Sequence, residues 1–355
     1  MKIWGRKAIE ETLDEGSIFD KETEGLSQGQ IVRKRFLQHK GAMIAVFTLL
    51  SLITLVFSSL SLKIGPWTYP GWWKYTIEDL PDLALEGCTG GIVGCPTMSL
   101  RPTWLGGAGI TFGEHPFGQD DIGRDYFALV MRGAQRSLLV TFIIGLIGGV
   151  IGTVVGAVAG FYRGAVDSVL MRFTDFIITV PSIIIGSVIG FHFGNLGVTF
   201  LAFYLGLFAW TGLSRLVRGE FLTLREREFV DAARVAGATN RRIIFKHILP
   251  NAVGIIIVSV TLLMSGAILL ETALSYLGFG VVAPDVSLGS LISQYQESFT
   301  TRPFLFWYPG VFIITIALCI NFIGDGLRDA FDPRQRRRIT RKDRQSARVA
   351  KKVSA

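Results

Sequence analysis

The chain alternates between long apolar runs and shorter charged segments. A membrane-spanning helix needs about 20 consecutive apolar residues, and six runs approach or exceed that length. Only two residues separate the third run from the fourth, which predicts a tight helical hairpin. The predicted spans are Gly41–Leu62, Leu138–Tyr162, Phe176–Phe193, Leu196–Ser214, Ala252–Leu270 and Phe304–Ile323. This pattern predicts an all-α, polytopic membrane protein.

The apolar runs divide the chain into regions of different polarity. The first run follows a charged tail and ends without a small-residue cleavage site, so it is predicted to be a retained anchor and not a signal peptide. Apolar and basic residues of Gln30–Lys40 recur at helical spacing, which predicts a helix on the inner membrane surface. The predicted regions are a cytoplasmic tail (1–40), an anchor (41–62), an extracytoplasmic segment (63–137), a transmembrane core (138–324) with a cytoplasmic loop at 220–250, and a basic cytoplasmic tail (325–355).

Basic residues flank the first and last spans. Arg33, Lys34, Arg35 and Lys40 precede the first span, and ten Lys and Arg residues between positions 334 and 352 follow the last. Short loops rich in Lys and Arg stay in the cytoplasm, and an even number of spans places both termini on one side. Both termini are therefore predicted to be cytoplasmic.

Composition agrees with a membrane location, because 50% of the 355 residues are hydrophobic and only 18% are charged. A soluble domain of this size carries more charge. The net charge of +8 reflects topology and favours contact with anionic membrane lipid. No basic fold with interleaved aromatic residues is recognisable, so we expect no nucleic-acid partner.

Two of the three cysteines fall in the predicted extracytoplasmic segment, within LEGCTGGIVGCPT. Two thiols that close a short glycine-rich loop in an oxidising compartment favour a disulfide, here between Cys88 and Cys95. A metal site fits less well, because the spacing differs from that of a zinc pair and no histidine is near. Cys319 lies within the last span and is expected to fill space in the core.

The second span carries a glycine at every fourth position, hence on one stripe of a helix. The stripe consists of Gly148, Gly152, Gly156 and Gly160. Glycines in a membrane helix let a neighbouring backbone approach closely, so the stripe predicts tight packing within the bundle.

Charged residues near the spans are few: Asp167, Arg172 and Asp175 lie around the start of the third span, and Glu271 follows the fifth. Charges within a membrane are functional candidates, but positions near span ends favour side chains that reach the interface. Arg172 and Asp175 share a helical face and are expected to pair. A proton-coupled carrier would need acids near mid-span, where the sequence has none.

A long charged segment, REREFVDAARVAGATNRRIIFKHILPN (225–251), separates the fourth span from the fifth. Its residues Phe229, Ala232, Ala233 and Ala236 recur at helical spacing and make a narrow face of mostly small side chains. Gly237 predicts the end of this helix, since glycine readily adopts the left-handed conformation.

Thr239 predicts the cap of a second helix, which is expected to run to Pro250, because proline precludes its continuation. Arg241, Arg242 and Lys246 surround the turn, which faces away from the bilayer. A simple linker does not need this pattern. The segment is therefore predicted to dock onto a soluble partner.

The sequence lacks three motifs that mark common catalytic sites. It has no Gly-x-x-x-x-Gly-Lys-Ser/Thr loop, no Gly-x-Ser-x-Gly elbow and no His-Glu-x-x-His pair, and its four histidines are scattered. We therefore expect no metal, no cofactor and no catalysis in this chain. Nucleotide chemistry would have to come from another polypeptide.

The segment DAARVAGATNRRIIFKHILPN resembles the cytoplasmic loop motif of ABC importer permeases, with Asp231 in place of the usual Glu. HPFGQDDIGRD resembles the extracytoplasmic signature of the oligopeptide/dipeptide branch, with Gln119 in place of the usual Thr. GAQRSL, ETALSYLGFGV and NFIGDGLRDAFDPR extend the resemblance from Gln30 to Arg334. The signature positions are His115, Pro116, Gly118, Gly123, Arg124 and Asp125.

The resemblance implies an assembly in the bacterial inner membrane. Such permeases pair with a second, similar permease, each half engages one cytoplasmic ATPase that holds ATP and Mg²⁺, and an external solute-binding protein delivers short peptides. The implied coupling element comprises Asp231, Ala232, Ala233, Gly237 and Pro250, with Arg241 and Arg242 as contacts.

Several alternatives stay open at this point. The same assembly could import nickel, glutathione or another small solute, and an ion gradient could drive a secondary carrier without any ATPase. The extracytoplasmic segment is longer than the family pattern and is expected to contact the binding protein or to cover the pore entrance, rather than only to decorate the surface. The amphipathic stretch Leu288–Phe299 is either an external half-helix that shapes the gate or an interfacial helix.

Overall fold

The structure is a computed structural model that describes residues 28–64, 67–83, 94–99, 109 and 111–331. The tail before residue 28, Cys88 and the basic tail after residue 331 lie outside the described residues. Helices dominate the described part, together with one short antiparallel hairpin. The helices are α1 Gln28–Gln38, α2 Lys40–Ser59, α3 Tyr126–Tyr162, α4 Gly164–Thr179, α5 Ser182–Phe193, α6 Val198–Gly206, α7 Thr211–Arg225, α8 Glu228–Val235, α9 Leu249–Tyr276, α10 Leu288–Tyr295 and α11 Phe304–Phe331, and the strands are β1 Leu62–Ile64 and β2 Trp67–Tyr69.

Five helical segments in the described residues are long and apolar enough to cross a membrane, and a bent helix pair can supply a sixth. The five segments are Lys40–Ser59, Tyr126–Tyr162, Val198–Arg225, Asn240–Tyr276 and Phe304–Phe331. The predicted all-α, polytopic class is confirmed. The predicted bounds differ from those of the helices, and the differences at the second span, the third span and the polar loop each have a local reason.

The third predicted span, Phe176–Phe193, is not one helix. Helix α4 ends at Thr179 and α5 begins at Ser182, and the two are bent by 78°. Proline disfavours helical backbone in the residue before it, and Val180 is extended with φ −86° and ψ 123°. Pro181 therefore breaks an apolar run that sequence alone reads as continuous. The expected tight turn before α6 is present at Gly194–Leu196.

The helix that contains the second predicted span begins at Tyr126, well before Leu138. The Asp125 side chain caps it by accepting a hydrogen bond from the Ala128 amide. A helix of this length rises roughly 55 Å at 1.5 Å per residue, which exceeds the ~30 Å hydrocarbon core of a bilayer. Part of the segment predicted to be extracytoplasmic is thus the first part of α3.

The second helix of the polar loop was predicted to end at Pro250, but it continues past this residue. A turn at Asn240–Arg242 and a π-helix at Ile243–Ile248 lead directly into α9. Proline lacks an amide hydrogen and clashes with the carbonyl four residues earlier in an α-helix. The wider π-turn, in which the Leu249 amide bonds Ile244 O, leads into Pro250 without a break.

Helix α3 is the centre of the bundle and packs against α6, α7 and α9, while α11 packs against α2 and α9. The last three glycines of its stripe lie on α7 and the residue before it, while Gly148 faces Leu263 of α9. A Cβ atom added at Gly156 would come within 2.4 Å of Ser214 O, and one at Gly160 within 2.7 Å of Arg218 O. At Gly152 the nearest atoms belong to Leu213 and Trp210. The stripe therefore serves packing inside the chain.

Replacing Gly156 with Ala should destabilise the protein by about 1–3 kcal/mol, the usual cost of overpacking a close-packed interior. The added methyl would meet the α7 backbone, which cannot move aside as a side chain can. The measurement is a melting curve of detergent-solubilised protein followed by size-exclusion fluorescence. Gly212→Ala is the matched control, since a Cβ at this α7 position meets nothing within 4 Å; equal melting temperatures for the two variants would contradict the assignment.

Candidate functional site

The loop between α7 and α9 is a compact helical hairpin with defined ends. Helix α8 ends in a left-handed glycine, Gly237, with φ +76°. The Gly237 amide donates to Arg234 O (2.9 Å) and the Ala238 amide to Ala233 O (3.0 Å), which is the Schellman pattern of helix ends. The Thr239 side chain then caps the following turn by accepting from the Arg242 amide. The predicted helix, sharp turn and second helix are present.

The underside of the loop is fixed to the bundle by apolar contacts. Val230 of α8 is buried in a cluster with Ile243, Ile244 and Ile248 of the returning limb. Phe221 and Leu213 of α7 belong to the same cluster. Since buried aliphatic side chains hold an element in one orientation, the loop is a rigid projection of α7 and α9.

The outer side of the loop presents small, apolar and charged groups. Three members of the predicted narrow face, Phe229, Ala232 and Ala236, are exposed, whereas Ala233 is half-buried against the loop's own core. Asp231 pairs with Arg234 (2.9 Å) on the surface. Val235 is 90% exposed.

The returning limb adds a shallow depression to this surface. It is lined by Thr239, Arg241, Arg242 and Phe245, and the Phe245 side chain is exposed. Pro250 lies beyond the projecting part, in the first turn of α9. Val235 and Phe245 were not among the predicted contact residues, although their helical spacing from the small residues of α8 and from Arg241 was a signal that could have identified them.

Two contacts tie the base of the loop to the end of α3. The Arg225 guanidinium donates to Phe161 O, and Arg163 pairs with Glu226 (2.6 Å). The loop therefore lies at the Tyr162 end of α3, and the segment before Asp125 lies at the other end.

At that opposite end, the signature residues form a buried polar cluster. His115 Nδ1 lies 2.8 Å from Asp125 Oδ1, and Trp73 Nε1 donates to Asp125 Oδ2 (2.8 Å). Both members of the His115–Asp125 pair are almost fully buried, and Tyr75 stacks on the His115 ring. Burial raises the pKa of the Asp125 carboxyl, while the hydrogen bonds from His115, the Ala128 amide and Trp73 oppose that shift.

A second polar group of the signature reaches across to α10. Asp120 accepts from Arg124 Nε (2.6 Å) and from the Tyr295 hydroxyl (2.9 Å), and Arg124 Nη2 donates to the same hydroxyl (3.1 Å). Gly118 and Gly123 both have left-handed backbone, with φ +82° and +94°, and Pro116 is buried. The signature thus fixes the start of α3 to α10 and presents few exposed groups.

The segment before α3, which was predicted to be extracytoplasmic, folds onto this cluster. The Thr97 amide donates to His115 O (2.9 Å), and a Cβ atom at Gly118 would lie 2.6 Å from Gly94 O. Cys95 is disulfide-bonded, as expected, and Cys319 is free and buried. Gly94 and Thr97, the residues on either side of Cys95 that make these contacts, therefore lie against the signature.

Helix α10 belongs to the bundle and does not lie on its surface as an interfacial helix would. Its residues Leu288, Leu291 and Tyr295 are buried in the same core as α3 and α11. Ser287 and Ser290 close a reciprocal capping box at its first turn.

Glu271 was predicted to reach toward the membrane interface. Instead, it is completely buried inside the helix bundle. It accepts hydrogen bonds from Ser137 Oγ of α3 (2.9 Å) and from Ser275 Oγ (2.7 Å). These hydroxyls in turn accept from the amides of Leu288 and Val281. Through these hydroxyls the carboxylate holds the middle of the connection between α9 and α10 and the first residue of α10, a role that its position near the end of an apolar run did not reveal.

The predicted Arg172–Asp175 pair is also wrong. Asp175 Oδ1 lies 2.5 Å from Arg215 Nη2 of α7. Residue spacing along α4 could not reveal this partner, because Arg215 belongs to a different helix. Among the described residues, no three His, Cys, Asp or Glu side chains come together as they would around a metal ion.

Comparison with known proteins places these elements in a family. The family described as "Binding-protein-dependent transport system inner membrane component" matches residues 152–337, more than half of the chain, including the loop and both helices that carry it. The chain belongs to this family.

Individual relatives match nearly the whole permease. It is 36% identical over 315 residues to the oligopeptide transport system permease protein OppC of Mycobacterium tuberculosis (strain ATCC 25618 / H37Rv), covering 88% of this chain and 97% of the relative. For OppC of Escherichia coli (strain K12), identity is 37% over 316 residues, covering 89% and 94%. An inward-facing structure of the MetNI methionine ABC transporter matches with a TM-score of 0.49 and 21% identity, covering 57% of this chain and 96% of that one. The permease is a multi-pass protein of the bacterial inner membrane.

Replacing Asp125 of the permease with Ala should destabilise it by about 2–5 kcal/mol, since leaving a buried donor without its acceptor costs about 1–3 kcal/mol and losing a helix cap costs about 0.5–2 kcal/mol. The variant leaves His115 and the Trp73 indole without their acceptor and removes the α3 cap. The check is the melting temperature in detergent. Asp121→Asn is the matched control, because Asp121 is exposed and pairs with Arg302 at the surface, where an ion pair contributes about 0–1 kcal/mol. A similar loss in both variants would contradict the structural role of Asp125.

Proposed function

We propose that this permease forms one half of the translocation pathway of an ATP-driven importer for short peptides. A second, similar permease supplies the other half, two cytoplasmic ATPases bind at the Tyr162 end of α3, and an external solute-binding protein delivers the cargo. The permease itself catalyses no reaction, and ATP and Mg²⁺ bind to the ATPase partners. Both termini lie in the cytoplasm. The single observation that carries the proposal is the rigid helical loop between α7 and α9, whose outer side is not covered by any of the residues that the structure describes.

The outer side of the loop fits a groove on a folded partner. The small side chains of Ala232 and Ala236 allow a partner backbone to approach closely, and Val235 with Phe245 provides exposed apolar surface. Arg241 and Arg242 provide positive charge beside that surface. An apolar centre with charged groups at its margin is the usual composition of a specific protein interface.

The loop is joined to two spans in a way that suits transmission of movement. Only Glu226 and Arg227 separate α7 from α8, and the returning limb continues into α9 without a break. Because the underside is packed around Val230, a partner that displaces the loop displaces the ends of α7 and α9 with it. The energy of ATP binding in the partner can then change how these helices pack.

The cargo is inferred from the relatives. The two OppC proteins are named as oligopeptide transport permeases, and the aligned region covers nearly their whole length. A peptide carries an amino group, a carboxylate and backbone amides, which a solute-binding protein can recognise independently of sequence. The permease then has to provide a path and a gate.

Replacing Ala232 with Trp should reduce uptake at least tenfold while leaving folding unchanged, since the indole would occupy partner space and not the chain's own core. Ala232→Ser, which keeps a small side chain, should transport as the parent does. The measurement is uptake of radiolabelled tri-alanine by proteoliposomes that contain the complete importer, together with co-purification of the ATPase subunits. Normal uptake by the Trp variant would rule out the docking role of this surface.

The cargo is tested with the parent importer. Tri-alanine should accumulate only with Mg-ATP inside the vesicles and the binding protein outside, and excess unlabelled tri-alanine should compete. Nickel and glutathione should neither compete nor accumulate. Accumulation of either one with no peptide uptake would replace the proposed cargo, and uptake driven by an ion gradient without ATP would remove the ATPase from the proposal.

A further inference from the structure

Helix α4 is held to the rest of the bundle by few buried side chains. Thr174 is the one residue of α4 that is buried, and Val169, Phe173 and Phe176 expose more than half of their surfaces. In contrast, α3 and α7 are clamped together by the glycine stripe. Apolar packing within this chain therefore fixes α7 much more firmly than α4.

Both ends of α4 are bends. At its start, Arg163 and Gly164 both have positive φ, +56° and +58°, and such backbone is unfavourable for a residue with a side chain. At its end, the extended Val180 and Pro181 produce the 78° bend toward α5. A change of angle at these two points would move α4 as one piece.

Three ion pairs join this part of the chain to α7. Two of them connect α4 with α7, and the third connects the bend before α4 with the residue that follows α7. The Arg218 guanidinium binds the Asp167 carboxylate with two bonds, Nε to Oδ1 at 2.5 Å and Nη2 to Oδ2 at 2.7 Å. Arg215 binds Asp175 (2.5 Å), and Arg163 binds Glu226 (2.6 Å). The Asp167–Arg218 pair is the least exposed of the three, and a bidentate Arg–carboxylate pair fixes direction as well as distance.

We propose that Asp167 and Arg218 are positioning residues that make α4 follow α7 when the cytoplasmic loop moves. This inference rests on the proposed function and adds to it a route from the loop to the Pro181 bend. The Arg218 backbone lies against Gly160 of α3, so its guanidinium is presented from a fixed base. Helix α4 is held mainly by charge, since Thr174 is its one buried residue and Phe173 stacks on Trp210 at a centroid distance of 6.3 Å, and it can change its angle without opening a close-packed core.

The transport arm compares Asp167→Asn, Arg218→Gln and the charge-reversed double variant Asp167→Arg/Arg218→Asp in the complete reconstituted importer. Each single variant should hydrolyse ATP within about twofold of the parent and should move at least tenfold fewer tri-alanine molecules per ATP. The reversed pair should recover at least half of the parent ratio. Lys74→Gln removes an exposed ion pair with Glu114 outside the bundle and should leave the ratio unchanged. Unchanged ratios in both single variants would overturn the proposal.

A second arm does not depend on the cargo. Spin labels on Cys substitutions at Val169 of α4 and Gly219 of α7, in a Cys319→Ser background, report the separation of the two helices in the assembled importer. The parent should show one narrow distance distribution, both at rest and with ADP and vanadate trapped in the ATPases. Asp167→Asn should broaden it at least twofold. A distribution as narrow in this variant as in the parent would overturn the proposal even if the importer carried another solute.

Discussion

The backbone contact between α3 and α7 is the constraint on which the rest of the structure depends. At Gly152, Gly156 and Gly160 there is no room for a side chain, because the carbonyls and side chains of α7 occupy that space. In a lipid environment the hydrophobic effect does not drive helices together, so close van der Waals contact has to do so. This contact orients α7, and α7 carries the loop by which the permease is proposed to meet its ATPase.

The two ends of α3 are attached to the rest of the chain by different kinds of contact. At one end, buried polar groups around Asp125 and Asp120 join the start of the helix to the segment that precedes it and to α10. Every such group needs a partner, since an unpaired buried charge is costly, and the resulting network is rigid. At the other end, surface ion pairs join α4 to α7, while the loop presents small and apolar groups outward. A transporter has to open at one membrane face while it stays closed at the other. A rigid network at one end of α3 and weaker ion pairs at the other end suit that requirement.

Local rules predicted the loop well because its determinants are local. Gly237 ends α8 and Thr239 caps the next turn through hydrogen bonds within a few residues, so sequence spacing contains the necessary information. The same rules failed at Pro250, where a π-turn accommodates the proline, and at Pro181, where a break interrupts an apolar run. Both prolines were visible in the sequence, but whether a proline bends, starts or ends a helix depends on the hydrogen bonds that its neighbours find elsewhere.

The sequence by itself determined the membrane class, the apolar segments, the glycine stripe, the motif-bearing loop and the family, because each depends on residue type and short-range periodicity. Only the tertiary structure decided which charges meet. Asp175 binds Arg215 and not Arg172, Asp167 binds Arg218, and Glu271 is buried among serine hydroxyls. Ion pairs and buried polar contacts join residues that are distant in the chain, and their partners are chosen by how helices pack, which periodicity along one helix does not specify.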